Sequence, residues 1–179
     1  MKNGTLRTVE GNVTEPQTTT PKEVVLIVHC CNNGGESGIG VMGAGVALAL
    51  RKKWMGVYTS YKTMEAESKK GLRNRLGEIC FERVEDNIIV VNMIGQDGIV
   101  SADNSKPVKY WALQKCMEQV RINLIAIISA FDEEKKKYVI HCPKFGSGLA
   151  MGDWNFILEL IREQWLEQGI DVVIYNYVE

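Results

Sequence analysis

The sequence predicts an α/β fold, and three observations carry that expectation. Short β-branched runs alternate along the chain with longer segments of helical period. The run Ile88 to Ile94 follows Glu78 to Val84 after a three-residue polar turn, Glu85-Asp86-Asn87, so the sheet is expected to be mixed rather than purely parallel. With 179 residues, 45% hydrophobic and 24% charged, the chain is long enough to bury one core without a disulfide, metal or partner. No internal repeat, low-complexity tract or linker divides it, so residues 1–179 are read as a single domain.

The expected strands are Thr5 to Glu10, Val24 to Cys30, Glu78 to Val84, Ile88 to Ile94, Tyr138 to Cys142 and Asp171 to Tyr177. A helix is expected from Gly45 to Trp54, continuing to about Lys70 with a break near Gly56. A second runs from Pro107, suited to a first turn, to about Ala130, with Val108, Trp111, Ala112, Cys116, Val120, Leu124, Ile127 and Ile128 as its apolar stripe. A third spans Asp153 to Gln168, with Phe156, Ile157, Leu160, Ile161 and Trp165 facing the core and Gly169 as its stop. Thr14 to Lys22 and Glu133 to Lys137 read as solvated connections.

Charge and composition exclude several function classes. With 21 basic against 22 acidic residues and a net charge of -1, the chain has no broad basic field for holding long nucleic acid. The apolar stretches Val24 to Val28 and Ile88 to Val91 are too short to span a bilayer, and the start MKNGTLRT lacks the apolar core of a signal peptide. The odd number of cysteines, Cys30, Cys31, Cys80, Cys116 and Cys142, mostly within apolar runs, fits free thiols in a reducing compartment. The expectation is a cytoplasmic, monomeric protein without membrane attachment, and no His, Cys or carboxylate cluster has metal-ligand spacing. The thiols beside His29 leave a cysteine nucleophile open beside a plain burial role.

The chemistry is expected in the glycine-dense stretch Asn32 to Gly45 and its shorter counterpart Gly146-Ser147-Gly148. Gly38 to Gly43 spells G-x-G-x-x-G, but its first glycine lies eight residues beyond Cys30 rather than in a tight turn, and no acidic residue ends a second strand about twenty residues on. No G-K-[ST] follows, so a P-loop is excluded as well. Glycines that let backbone approach an anion, with free amides at a helix start, still suit a phosphate-bearing ligand.

Taken together, Gly11-Asn12-Val13-Thr14, His29-Cys30-Cys31-Asn32, Val41 to Ala47, Ile94-Gly95-Gln96 and Phe145 to Trp154 resemble the macrodomain family, over nearly the whole chain. The resemblance is to the branch holding ADP-ribose 1''-phosphate phosphatases and the terminal ADP-ribose glycohydrolase. It implies a three-layer α/β/α sandwich around a mixed, mostly parallel sheet of about six strands. It also implies ADP-ribose, or its 1''-phosphate, lying over the strand ends with no cofactor.

By that resemblance, Asn12, followed by Val13, sits where many relatives carry an Asp bonded to the adenine amino group, and the Asn oxygen is expected to accept the same bond. A turn-forming Asn is the competing reading. Tyr175 matches a residue that packs on adenine, with Tyr177 as competitor, and Asn32 matches a contact to the distal ribose. The pyrophosphate is expected between the amides of Met42, Gly43, Ala44, Gly45 and Val46 and those following Phe145, namely Gly146, Ser147, Gly148 and Leu149.

The glycohydrolase-type relatives use a Lys where this chain has Gln96 and an Asp where it has Ala150, and neither replacement can form an adduct with an opened sugar or act as base. His29 and Asp153 match the phosphatase-like branch, one as acid or orienting group and the other as base or nucleophile. Core histidine and helix N-cap are their structural alternatives. The expected activity is hydrolysis of ADP-ribose 1''-phosphate. A non-catalytic ADP-ribose reader and a hydrolase acting on ADP-ribosylated protein or nucleic acid are the rivals.

Overall fold

The computed structural model describes residues 2–34, 42–67, 75–131 and 136–177, the side chains of 127–131 excepted. Six strands form one sheet: β1 (Leu6–Glu10), β2 (Glu23–Asn32), β3 (Ile79–Glu85), β4 (Ile88–Gln96), β5 (Lys137–Pro143) and β6 (Asp171–Asn176). Their spatial order is β1-β6-β5-β2-β4-β3, and every neighbouring pair is parallel except the β3–β4 hairpin. The mixed, mostly parallel sheet is therefore as expected, with the antiparallel strand at an edge.

The central strand β2 is buried along almost its whole length, as a parallel strand covered on both faces must be. Its alternation divides the interior. Leu26 and Val28 pack with α3 (Tyr110–Phe131) and α4 (Trp154–Ile161), whereas Val25, Ile27 and Cys31 pack with α1 (Gly45–Lys53) and α2 (Met55–Glu67). Helices thus cover both faces and make the three-layer sandwich.

Several helical expectations need correction. The break after α1 falls at Trp54, which is extended (φ -133, ψ 94), and not at Gly56. Gly56 lies inside α2, where a Cβ would come 2.9 Å from the Glu82 carboxylate, so its small size serves helix–strand approach. Pro107 precedes α3: its carbonyl accepts from Asp97 N, and Val108 bridges Gln96, which keeps the segment extended. The face of α3 is rotated by about one position relative to the expected stripe. Ala112, Leu113, Cys116, Met117, Val120 and Leu124 are buried, and Trp111 is 58% exposed. Phe156 likewise lies outside the core, packed against Tyr110 with ring centroids 4.4 Å apart and the planes tilted by 45°.

α4 is shorter than expected and continues as a π-helical stretch, Arg162–Leu166, before Gly169 turns the chain at φ +81. The G-x-G-x-x-G segment up to Val41, the helix continuation 68–70, the side chains of Ile127 and Ile128, and residues 133–135 of the second solvated connection lie outside the described residues. No described helix is long and apolar enough to cross a membrane.

Candidate functional site

The chain leaves β2 towards helices over one face and leaves β5 towards α4 over the other, so the adjacent carboxyl ends of β2 and β5 form a topological switch point. A cleft of about 570 Å³ opens there. That is the size of a small-molecule site, about 300–1,000 Å³. A second, more open groove of about 510 Å³ lies between α2 and β3, away from the switch point.

One wall of the cleft is the entry to α1. Met42, Gly43, Ala44, Gly45 and Val46 all line it. Met42 (φ 47) and Gly45 (φ 55) are left-handed, so the backbone here folds back on itself before the helix begins. Ala44 is the N-cap and makes no side-chain cap bond, which leaves the first-turn amides without a capping side chain among the described residues.

The facing wall is the loop after β5. It supplies Phe145, Gly146, Gly148 and Leu149 from the expected set, together with Pro143, Lys144 and Ala150. The loop is closed on itself by Met151 N donating to the Gly148 carbonyl and Gly152 N to the Gly146 carbonyl, at 2.9 and 2.8 Å. Ser147 is not in the wall, and its hydroxyl donates back to the Lys144 carbonyl. Lys144 is the cation among the described lining residues, so attraction for an anion must come chiefly from backbone dipoles.

The floor and far end come from β2 and β4. His29, Asn32 and Gln96 line the cleft as expected. Asn32 is fixed by Gly34 N donating to its side-chain oxygen at 2.9 Å, while the Tyr61 hydroxyl donates to its carbonyl at 2.7 Å. Gln96 Nε2 donates to the Gly98 carbonyl at 3.0 Å. Ile99 and Val100, 40% and 44% exposed, form an apolar lip opposite Leu149. This lip, Tyr61, Ala47 and Lys144 were not foreseen. The apolar pair in an otherwise polar loop was the one local signal for the lip.

His29 is only 1% exposed, and its Nε2 lies 2.6 Å from Asn92 Oδ1. Asn92 Nδ2 donates to the Val57 carbonyl, which orients the amide, so His29 Nε2 carries the proton and Nδ1 does not. Burial drives the His29 pKa down to about 4, against a smaller opposing effect of the Asn92 bond, so the ring is neutral at pH 7. Burial also pushes the Cys30 thiol up to about 12 and Cys31 well above its ordinary value. Neither is a ready nucleophile, although both line the cleft.

Asp153 is placed differently from its expected catalytic role. Its Oδ1 accepts from Asn155 N at 2.8 Å and from Phe156 N at 3.5 Å, making it the N-cap of α4, and it does not line the cleft. The cleft wall therefore holds His29 without Asp153. Replacing Asp153 by alanine is expected to lower stability by about 1 kcal/mol, read as a reduced midpoint in urea unfolding.

Asn12, Val13 and Tyr175 also lie outside the cleft lining. Tyr175 is 2% exposed and belongs to a buried relay instead of presenting its ring. Gln17 N donates to the Tyr175 oxygen at 2.7 Å, and the hydroxyl proton must then go to His141 Nδ1, at 2.8 Å. His141 Nε2 donates to Glu23 Oε1 at 2.9 Å, and Glu23 Oε2 accepts from the Thr19 amide and hydroxyl. Burial raises the Glu23 carboxyl, but the Thr19 and His141 bonds outweigh it and hold the group below its ordinary value; burial lowers His141. The competing Tyr177 is 69% exposed at the chain surface.

Val13 is a core residue, packed in the same cluster as Met42 and Tyr175. Asn12 Oδ1 accepts from both Thr14 N at 3.0 Å and Thr14 Oγ1 at 2.9 Å, an Asx-turn. Its oxygen is therefore spent within its own loop, contrary to the expectation that it accepts from a ligand.

No family model matches the chain, and no curated protein does. Solved structures do. A protein of unknown function from Bacteroides thetaiotaomicron is 30% identical over 98% of this chain and 99% of its own, with a TM-score of 0.79. A macrodomain protein from Streptomyces coelicolor is 28% identical over 96% of this chain and 99% of its own, with a TM-score of 0.71. Thermosipho africanus DarTG in complex with ADP-ribose shares the fold at 17% identity and a TM-score of 0.56, over 87% of this chain and 38% of that one. With the switch-point cleft between two glycine loops and likeness along the full length of a named macrodomain, the chain belongs to the macrodomain family.

Proposed function

We propose that the switch-point cleft binds ADP-ribose. The observation that carries this reading is the pair of facing loops, Met42 to Val46 and Phe145 to Leu149, which bring the uncapped amides of the α1 entry to one side of one opening and Gly146 and Gly148 to the other. A pyrophosphate between them would be held by backbone dipoles, which suits a chain of net charge -1. Asn32 and Gln96, which line the far end, would flank the distal ribose. The DarTG complex with ADP-ribose, a protein of the same fold, supports the ligand class.

Calorimetry with ADP-ribose tests it. Saturable binding of one nucleotide per chain is expected; no heat and no thermal stabilisation at millimolar nucleotide would sink it.

Hydrolysis of ADP-ribose 1''-phosphate is the finer reading. Its support is that His29 lines the cleft and that both cap bonds fall on Asp153 Oδ1, leaving Oδ2 outside the cap. It requires Asp153 to serve a ligand that reaches beyond the cleft wall. Phosphate release by the wild type, lost in Asp153→Ala while binding persists, would establish it. Binding without release would leave the cleft as a reader. Removal of ADP-ribose by lysine and aspartate chemistry has no means here, since the positions at issue, Gln96 and Ala150, both line the cleft and carry neither group.

A further inference from the structure

We infer that the outward face of α3 is a docking surface for a second copy of this chain, whose own α3 packs on it antiparallel about a two-fold axis. None of the residues on this face lines the cleft, so the surface stands whatever the cleft binds.

α3 is apolar on two sides. Ala112, Leu113, Cys116, Met117, Val120 and Leu124 face inward and are buried. On the opposite side Trp111, Ile122 and Ile125 are exposed, and among the described residues they are all of the large apolar side chains exposed on α3. They are not scattered. Trp111, Lys115, Glu118, Ile122 and Ile125 follow one another at intervals of four, three, four and three residues, the spacing of a coiled-coil seam. A helix with a solvated outer face is polar along it, whereas this seam has two apolar ends and a charged centre.

The charged centre says what covers the seam. In an antiparallel pair with the two-fold axis between residues 116 and 117, Trp111 meets Ile122 of the second copy and Lys115 meets its Glu118, and symmetry repeats both contacts. Both charge contacts are then of opposite sign. A parallel pair would set Lys115 against Lys115 and Glu118 against Glu118. Slid by three residues, so that Trp111 meets Ile125, the antiparallel pair would set Glu118 against itself and Lys115 against Arg121. The first arrangement alone of these three satisfies the apolar and the charged positions together, and it is self-complementary, as a two-fold interface must be.

The helix is already fixed for such docking. Trp165 Nε1 donates to the Met117 carbonyl at 3.0 Å, and Gln119 Nε2 donates to the Gly77 carbonyl. The Lys115 stem lies over Gly77, where a Cβ would come 2.8 Å from Lys115 Cδ. Glu118 makes a 3.7 Å contact with Arg121, an exposed pair that costs little to exchange for a lysine of the second copy. Little ordering is therefore left to oppose association. Four layers of side chains bury less than the ~800 Å² per partner of a standard interface, so a reversible dimer with Kd of about 10–100 µM is expected in place of a monomer.

Sedimentation equilibrium of the full chain from about 5 to 500 µM tests this. The wild type is expected to pass from the mass of one chain to that of two. Lys115→Glu and Glu118→Lys each bring like charges together at both contacts and are expected to weaken the dimer by about tenfold or more. Combining them restores opposite charges and is expected to return Kd to within about threefold of the wild type. Urea midpoints of the four proteins check that the fold is intact. A wild type that keeps the mass of one chain throughout overturns the inference and leaves the face to a different partner. A dimer that both single changes leave intact, or that the double change fails to restore, overturns it as well. ADP-ribose calorimetry on the same four proteins keeps the two readings apart: the cleft is expected to bind alike in all of them, and failure in all would overturn the reading of the cleft alone.

Discussion

Gly152→Ala is expected to unfold the β5–α4 loop from its closed form and to cost about 2–3 kcal/mol, with loss of measurable nucleotide binding. A Cβ at Gly152 would stand 2.4 Å from the Gly146 carbonyl oxygen and 3.1 Å from both Ile157 Cδ1 and Val108 Cγ1. The oxygen cannot retreat as a side chain would, because it accepts the Gly152 N–H bond that closes the loop. For a chain of this size the melting temperature is expected to fall by about 2–4 °C per kcal/mol. Gly148→Ala is the control: nothing lies within 4 Å of its added Cβ, and stability is expected to hold within about 0.5 kcal/mol. Melting of Gly152→Ala at the wild-type temperature would show that loop closure does not depend on this approach.

Acid is expected to weaken the fold well before ordinary carboxylates titrate. In the folded protein His29 takes a proton only near pH 4, whereas an unfolded histidine does so near 6.5. Between those values the unfolded chain binds more protons, so stability rises with pH and is lost as pH falls. His29 alone accounts for about 3 kcal/mol by pH 4. His141 acts in the same direction, since burial also lowers it. Glu23 adds to the loss below its unfolded value of 4.5, because its folded pKa is depressed. Urea unfolding at several pH values between 7 and 4 is the measurement. The wild type is expected to lose stability throughout, and His29→Gln to lose it with a shallower slope. A flat profile over that range in the wild type would contradict a neutral, buried His29.

Much of the architecture was legible because it depends on near neighbours in the chain. All six strands were placed to within two residues at either end, since β-branched runs bounded by polar turns carry their own period. The turn at Asp86-Asn87 announced the antiparallel edge strand. Glycine in both handover loops marked both walls of the cleft for the same reason: the backbone geometry needed there excludes most side chains.

The helix faces were less legible. Trp111 and Phe156 each satisfy the period of a core residue, yet the partner surfaces put Leu113 and Met117 inward on α3 and left Phe156 against Tyr110. A helix period fixes which residues share a face, to within a rotation that only the opposing sheet selects.

What the sequence determined by itself was the order of strands and helices along the chain, the two amide-bearing loops, and the residue types available at the cleft. Only the tertiary structure decided what each polar atom is free to do. Asp153 caps a helix through bonds to residues two and three positions away, and Asn12 spends its oxygen on Thr14, so both side chains are committed locally once the backbone adopts these turns. Tyr175 is committed over a longer range, through His141, 34 residues away, to Glu23, which lies 118 residues from His141 in sequence. A side chain's chemistry is set by the donors and acceptors that reach it, and those come from segments whose approach is fixed by packing rather than by local pattern.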